Sequence, residues 1–301
     1  MIITARSGYF MQKKLTLGVR AHDVGLEALS PSFSGGGFEV LADRVLSRRF
    51  GAVQFTMAHA FPELKPEQLN QGMAWRLRKA FESRDIQIAV LSCYINPIHP
   101  DLNEREKELA CFYRYLEFCR DLKCNYVATE TGSKNIDGSF HPDNHSSQVM
   151  GELLESLRRM VTWAGDFGVG VAIEGVSKFV AYSPEVIRKI LDQINSVHLR
   201  VILDPANLLE PSAGGDIRQQ YINLVKESFD LYGDDIIAIH LKDYRVEGGK
   251  LINVTIGTGS APFDFLLDLA ADRKPGLPLI MEEQNPLTME DSIKVIEGLI
   301  P

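Results

Sequence analysis

The chain has 301 residues, 45% of them hydrophobic and 24% charged, the composition of an ordinary globular protein. It carries 32 lysines and arginines against 40 acidic residues, a formal charge of -8, which argues against a nucleic-acid partner because such affinity rests on neutralising phosphates. The opening stretch MIITARSGYFMQKK lacks the apolar core of a signal peptide, and no run reaches the ~18 apolar residues of a membrane span. The cysteines Cys93, Cys111, Cys119 and Cys124 form no CxxC pair. The expectation is a cytoplasmic protein with reduced thiols and no membrane partner.

Short apolar runs alternate with helical spacing along the whole chain. The first, Leu15–Val19 (LTLGV), is followed closely by His22 in VRAHD. Ala52–Thr56 (AVQFT) and Ile86–Leu91 (IQIAVL) come next, then a helix over Glu106–Leu122 with Leu109, Phe112, Tyr113, Leu116 and Cys119 on one stripe. The fourth run, Tyr126–Thr129, leads into Glu130, and a helix is expected over Gln148–Phe167. Val169–Ile173 ends on Glu174 before a helix over Ser183–Ile194, and Arg200–Leu203 ends on Asp204 before one over Ile217–Leu231. Ile236–Ile239 ends on His240, with Lys242 and Asp243 just beyond, and Pro262–Ala271 reads as a helix. The last run, Pro278–Met281, ends on Glu282.

Runs that are apolar on both faces suit parallel strands covered by helices. Their centres, from Leu17 to Ile280, lie 30 to 45 residues apart, so eight strand–helix units fill residues 1–301. That count predicts an α/β fold, a single-domain (β/α)8 TIM barrel; an open doubly wound sheet is the weaker option, since no GxGxxG follows the first strand.

Catalytic groups in such a barrel sit at the C-terminal strand ends. Glu174, Asp204, His240 and Glu282 end the last four strands in succession, and three carboxylates with one imidazole suit a divalent ion: Mn, Mg, Co or Zn. Without a cation the carboxylates would repel one another. Lys242 shares a strand face with His240 and is placed to orient a substrate oxygen or neutralise charge. Asp243, Glu130 and His22 are the other expected substrate contacts at strand ends. Trp75 and Trp163 fall inside helices and read as packing residues; Gly257 and Gly259 in TIGTGS read as a tight loop.

The segments VAIEG, VILDPANLL, IIAIHLKDY and PLIMEE resemble the strand ends of the xylose isomerase-like TIM barrel superfamily, which holds sugar phosphate isomerases/epimerases and the apurinic endonuclease family 2-like proteins. TIGTGSAPFDFLLDL, Thr255 to Leu269, resembles that family's Gly-rich loop and helix after the seventh strand. The resemblance covers the last four units through these motifs and the first four through strand spacing. It implies that Glu174, Asp204, His240 and Glu282 are metal ligands and that the two glutamates are also acid and base on opposite faces of the substrate. The family's epimerases often carry a His three residues after the aspartate, where this chain has Asn207, taken here as a further substrate contact. They also carry a Glu and an Arg where this chain has Val180 and Val246, with Arg245 one place off.

The expected activity is proton transfer through an enediolate on a ketose, aldose or related polyol, a small-molecule substrate; the resemblance also admits a homo-oligomer. An inosose dehydratase or hydroxypyruvate isomerase-like enzyme shares the fold and similar ligands. An apurinic endonuclease would need more strand-end histidines and a basic face. A barrel that binds a sugar or metabolite without turnover predicts that at least one of the four ligands fails to converge, or that the cation does not bind.

Overall fold

The computed structural model describes residues 15–25, 37–211 and 214–301; the N-terminal stretch read for a signal peptide lies outside them. The strands are β1 Thr16–Arg20, β2 Ala52–Thr56, β3 Gln87–Ser92, β4 Tyr126–Glu130, β5 Gly170–Glu174, β6 Leu199–Leu203, β7 Ile236–Leu241, β8 Asp243–Glu247, β9 Lys250–Val254 and β10 Pro278–Met281. The helices are α1 Gly37–Ser47, α2 Met57–Ala60, α3 Gln71–Glu82, α4 Leu102–Leu122, α5 Ser147–Phe167, α6 Pro184–Ile194, α7 Ile217–Tyr232, α8 Phe263–Arg273 and α9 Met289–Glu297.

The parallel strands close into a barrel in the order β1-β10-β7-β6-β5-β4-β3-β2, which excludes the open sheet. Every apolar run of the sequence is a barrel strand, β2 and β10 with the expected bounds. Helix α4 starts at Leu102 rather than Glu106 because the Asp101 carboxylate caps it, accepting from the N–H groups of Asn103 and Glu104. The cysteines are free. Among the described residues no helix is long and apolar enough to cross a membrane.

The two-residue period of a strand divides the barrel's side chains cleanly. Ala52, Ala89, Val90, Ala128, Ala172, Ile202, Ala238 and Ile280 form one buried cluster drawn from strands alone, the barrel interior. Their neighbours Val53, Val127, Val171, Ile173, Val201, Ile239 and Leu279 join the larger cluster between strands and helices. Alanine dominates the interior because little room remains there. At Gly18 even a Cβ would lie 2.7 Å from the Ala52 carbonyl oxygen and 2.8 Å from Ile280. Two residues beyond this apolar layer, on the same strand face, come Arg20, Gln54, Ser92, Glu130, Glu174, Asp204, His240 and Glu282. A polar ring therefore forms at the C-terminal mouth.

The segment after β7 adds an antiparallel hairpin, β8–β9, outside the barrel sheet. Asp243 holds it. One carboxylate oxygen accepts from the N–H groups of Tyr244 and Ala261, the other from Gly257 and Gly259 at 2.9 and 2.8 Å. Glycine is required at 259, where a Cβ would sit 2.2 Å from that carboxylate. Gly259→Ala is expected to destabilise the fold by about 1–3 kcal/mol through overpacking. Gly151→Ala, in open space within α5, should stabilise it by about 0.5–1 kcal/mol. Urea unfolding of the two variants checks both signs; equal midpoints would remove the Asp243 anchor from the account.

Candidate metal centre

Glu174, Asp204, His240 and Glu282 each offer a ligand atom, all within 4.8 Å of one another, and all four side chains are buried. The four residues come from successive strands around the barrel. His240 Nδ1 lies 3.3 Å from Glu174 Oε1, 3.5 Å from Asp204 Oδ2 and 3.4 Å from Glu282 Oε1. Ligand atoms about 2.1 Å from a shared cation are separated by about 3.4 Å in a tetrahedral arrangement. His240 Nδ1 and Glu282 Oε1 are buried without a hydrogen-bond partner, a costly condition that a shared cation relieves. The donor set, one imidazole nitrogen and three carboxylate oxygens, fits a divalent ion.

Each carboxylate turns one oxygen to this centre, and neighbouring groups hold inward and outward oxygens alike. Glu174 Oε2 accepts from the Tyr94 hydroxyl at 3.3 Å, while its Oε1 accepts from Asn207 Nδ2 at 2.6 Å. Asp204 Oδ1 accepts from the Asn207 N–H. Glu282 Oε2 meets Lys242 Nζ at 2.8 Å and Arg20 Nη1 at 3.9 Å. Lys242 also lies 2.7 Å from Asp204 Oδ2. Burial works against the Lys242 ammonium, but the carboxylates of Asp204 and Glu282 outweigh it and hold the amine charged. Lys242 therefore lies between two of the carboxylates on the strand end that carries His240. Asn207 touches the carboxylates of Glu174 and Asp204 and receives a hydrogen bond from Lys242 at 3.3 Å, so it helps to orient them.

The remaining expected contacts divide. Glu130 ends β4 in register with Glu174; burial first, then the Glu174 charge, push its carboxyl up to about 7. His22 stands at the rim, its ring edge-on to His59 with centroids 4.8 Å apart. Burial and the Arg20 charge push it down to about 4, so it is neutral at ordinary pH. Asp243 departs from the expected substrate contact: four backbone N–H groups occupy its two oxygens. The same bonds consume the Gly257 and Gly259 donors, as a tight loop requires. Trp163 packs edge-on against Tyr113, whereas Trp75 is mostly exposed rather than packed.

Sequence reasoning missed Gln54, Tyr94, Ser92 and Arg20. The signal was available for Gln54, a lone polar residue inside AVQFT and fully buried. Its Oε1 lies 2.6 Å from His240 Nε2, and its Nε2 donates to Ser92 Oγ and Tyr94 Oη, both at 2.9 Å.

A family model described as xylose isomerase-like TIM barrel matches residues 44–299. The fold is similar to that of a xylose isomerase domain protein from Planctomyces limnophilus, at 18% identity and TM-score 0.69, over 95% of this chain and 97% of that one. It is also similar to 3-keto-D-glucoside 4-epimerase from E. coli, at 13% identity and TM-score 0.69, over 95% of this chain and 100% of that one. D-psicose 3-epimerase from Clostridium cellulolyticum gives 11% identity and TM-score 0.69, over 95% and 99%.

Burial opposes a charge on His240, yet the carboxylates of Glu282 and Glu174 raise it from 6.5 to about 10. A raised pKa in the folded state stabilises fully below 6.5, and that contribution is lost as pH rises through about 10. The urea midpoint of chelator-treated protein should therefore fall across that window, and His240→Gln should flatten the fall. An unchanged slope in the variant would show that the imidazolium is not its source.

Proposed function

The chain belongs to the xylose isomerase-like TIM barrel family, and on that premise we propose that it is a divalent-metal-dependent sugar isomerase or epimerase acting on a ketose, aldose or related polyol. The observation that carries this reading is the convergence of three buried carboxylate oxygens on His240 Nδ1. Epimerase names among proteins of similar fold agree with it.

Glu174, Asp204, His240 and Glu282 would hold the ion, which supplies electrophilic charge to substrate oxygens and lowers the cost of an adjacent carbanion. The proton steps belong to the protein. Glu174 and Glu282 stand on β5 and just beyond β10, with β6 and β7 between them in the barrel order, so they flank the centre from two sides. One of the pair removes the proton from the carbon next to the carbonyl, and the electron pair moves to the carbonyl oxygen to give an enediolate. For epimerisation the other returns a proton to the opposite face of the same carbon and the carbonyl re-forms; for isomerisation the first returns it on the same face to the neighbouring carbon, while the hydroxyl proton passes from one oxygen to the other as the carbonyl moves. A base poised by burial and neighbouring charge performs such transfers at neutral pH. Lys242, between Asp204 and Glu282, is the group we assign to a substrate oxygen. Asn207 holds Glu174 in place, and Glu130 and His22 are assigned to hydroxyl contacts at the rim.

The test is solvent-deuterium incorporation into a panel of ketoses, aldoses and inososes, with elemental analysis before and after chelation. About one divalent ion per chain and exchange that disappears on chelation are expected from this donor set. Glu174→Gln and Glu282→Gln should each lower exchange by about 100- to 10,000-fold, the usual contribution of a positioned acid or base. Exchange persisting in either variant would withdraw that residue from proton transfer, and a metal-free, exchange-inactive protein would overturn the assignment.

A further inference from the structure

The hydrogen bonds behind the metal centre run in one direction, and their direction follows from atom types. The Tyr94 hydroxyl has one proton and lies 3.3 Å from Glu174 Oε2. A carboxylate oxygen accepts, so Tyr94 donates to it and its own oxygen is left to accept. The atom of Gln54 that faces Tyr94 Oη at 2.9 Å must then be the amide nitrogen. That same nitrogen gives its second hydrogen to Ser92 Oγ. With the nitrogen so committed, Gln54 turns its carbonyl oxygen to His240 Nε2 at 2.6 Å. A carbonyl only accepts, so Nε2 keeps its proton in either charge state of the ring, and Nδ1 is the nitrogen that gives up its proton to present a lone pair when an ion is bound. The opposite amide orientation would require Tyr94 to give one proton to two acceptors.

We propose that Gln54 is a positioning residue that sets the metal-ligating tautomer of His240, and that Tyr94 fixes the orientation of Gln54 from Glu174. The inference rests on the metal reading above. It makes two ligands on separate strands, Glu174 on β5 and His240 on β7, interdependent through β2 and the second residue after β3. None of the connecting atoms touches the centre itself. Gln54 is fully buried, whereas Tyr94 is 37% exposed and opens to solvent, so the link reaches from the barrel interior to its mouth.

Cobalt(II) is the probe, since both its uptake and its visible absorption report the ligand set without turnover. Wild-type protein should bind it with a tetrahedral or five-coordinate spectrum. Gln54→Met, which keeps the volume and removes both hydrogen-bonding atoms, should weaken binding by about 10- to 100-fold in chelator competition, the usual cost of losing an outer partner of a ligating histidine. Gln54→Glu still accepts from Nε2 and should recover most of that loss, a rescue that packing alone does not give. Tyr94→Phe, at the partly exposed position, should weaken cobalt binding in the same direction and add less than its full effect to Gln54→Met; it reads the same link if Gln54→Met does not fold. Wild-type uptake with unchanged affinity and spectrum in a folded Gln54→Met or Tyr94→Phe overturns this inference alone. A wild-type protein that takes up no cobalt overturns the metal reading and the inference with it.

Discussion

Three carboxylates brought within 3.3 to 3.5 Å of a single imidazole nitrogen, all buried, set the terms for everything else at the mouth of this barrel. Such a group of like charges is unfavourable unless positive charge is close by and every remaining lone pair is occupied. Lys242 and Arg20 supply fixed cations on one side. Tyr94 occupies the outer oxygen of Glu174 and Asn207 the inner one. His240 Nδ1 and Glu282 Oε1 stay without a hydrogen-bond partner and point inward, which suits a cluster that could hold a cation.

The barrel makes this arrangement available at small cost to the core. Its interior layer is mostly alanine, closed at Gly18 to the point that no side chain fits. Polar residues need only stand two positions further along each strand to meet above it. The chain uses its last loops to brace that ring. The Asp243 carboxylate gathers four backbone N–H groups into the hairpin and Gly-rich loop, holding the segment that follows His240 and Lys242. Asp23 works similarly at the other side, bonding Arg20 and accepting from the Gln284 N–H, and so ties the end of β1 to the segment after β10.

How much was legible depended on whether a residue's role is set by its own strand. Glu174, Asp204, His240 and Glu282 each interrupt an apolar run where it ends, and that interruption is visible in a single sequence. Gln54 also interrupts a run, but in its middle, where a polar residue has no reading until the opposite wall is known. Tyr94 lies past the end of β3, where no period constrains it. Asp243 is adjacent to Lys242 in the chain yet does different work, because the hairpin folds back over it.

The sequence by itself determined the strand count, the near-even spacing of the units and the four residue types at the last strand ends, because those depend on local periodicity and on where apolar character stops. Tertiary structure alone decided which atoms face one another. Barrel closure brings β2 opposite β7, so that Gln54 meets His240 across 186 positions of sequence. It also turns Lys242 onto two of the carboxylates. Contacts between strands distant in the chain follow from closure and stagger, which no pattern within a single strand encodes.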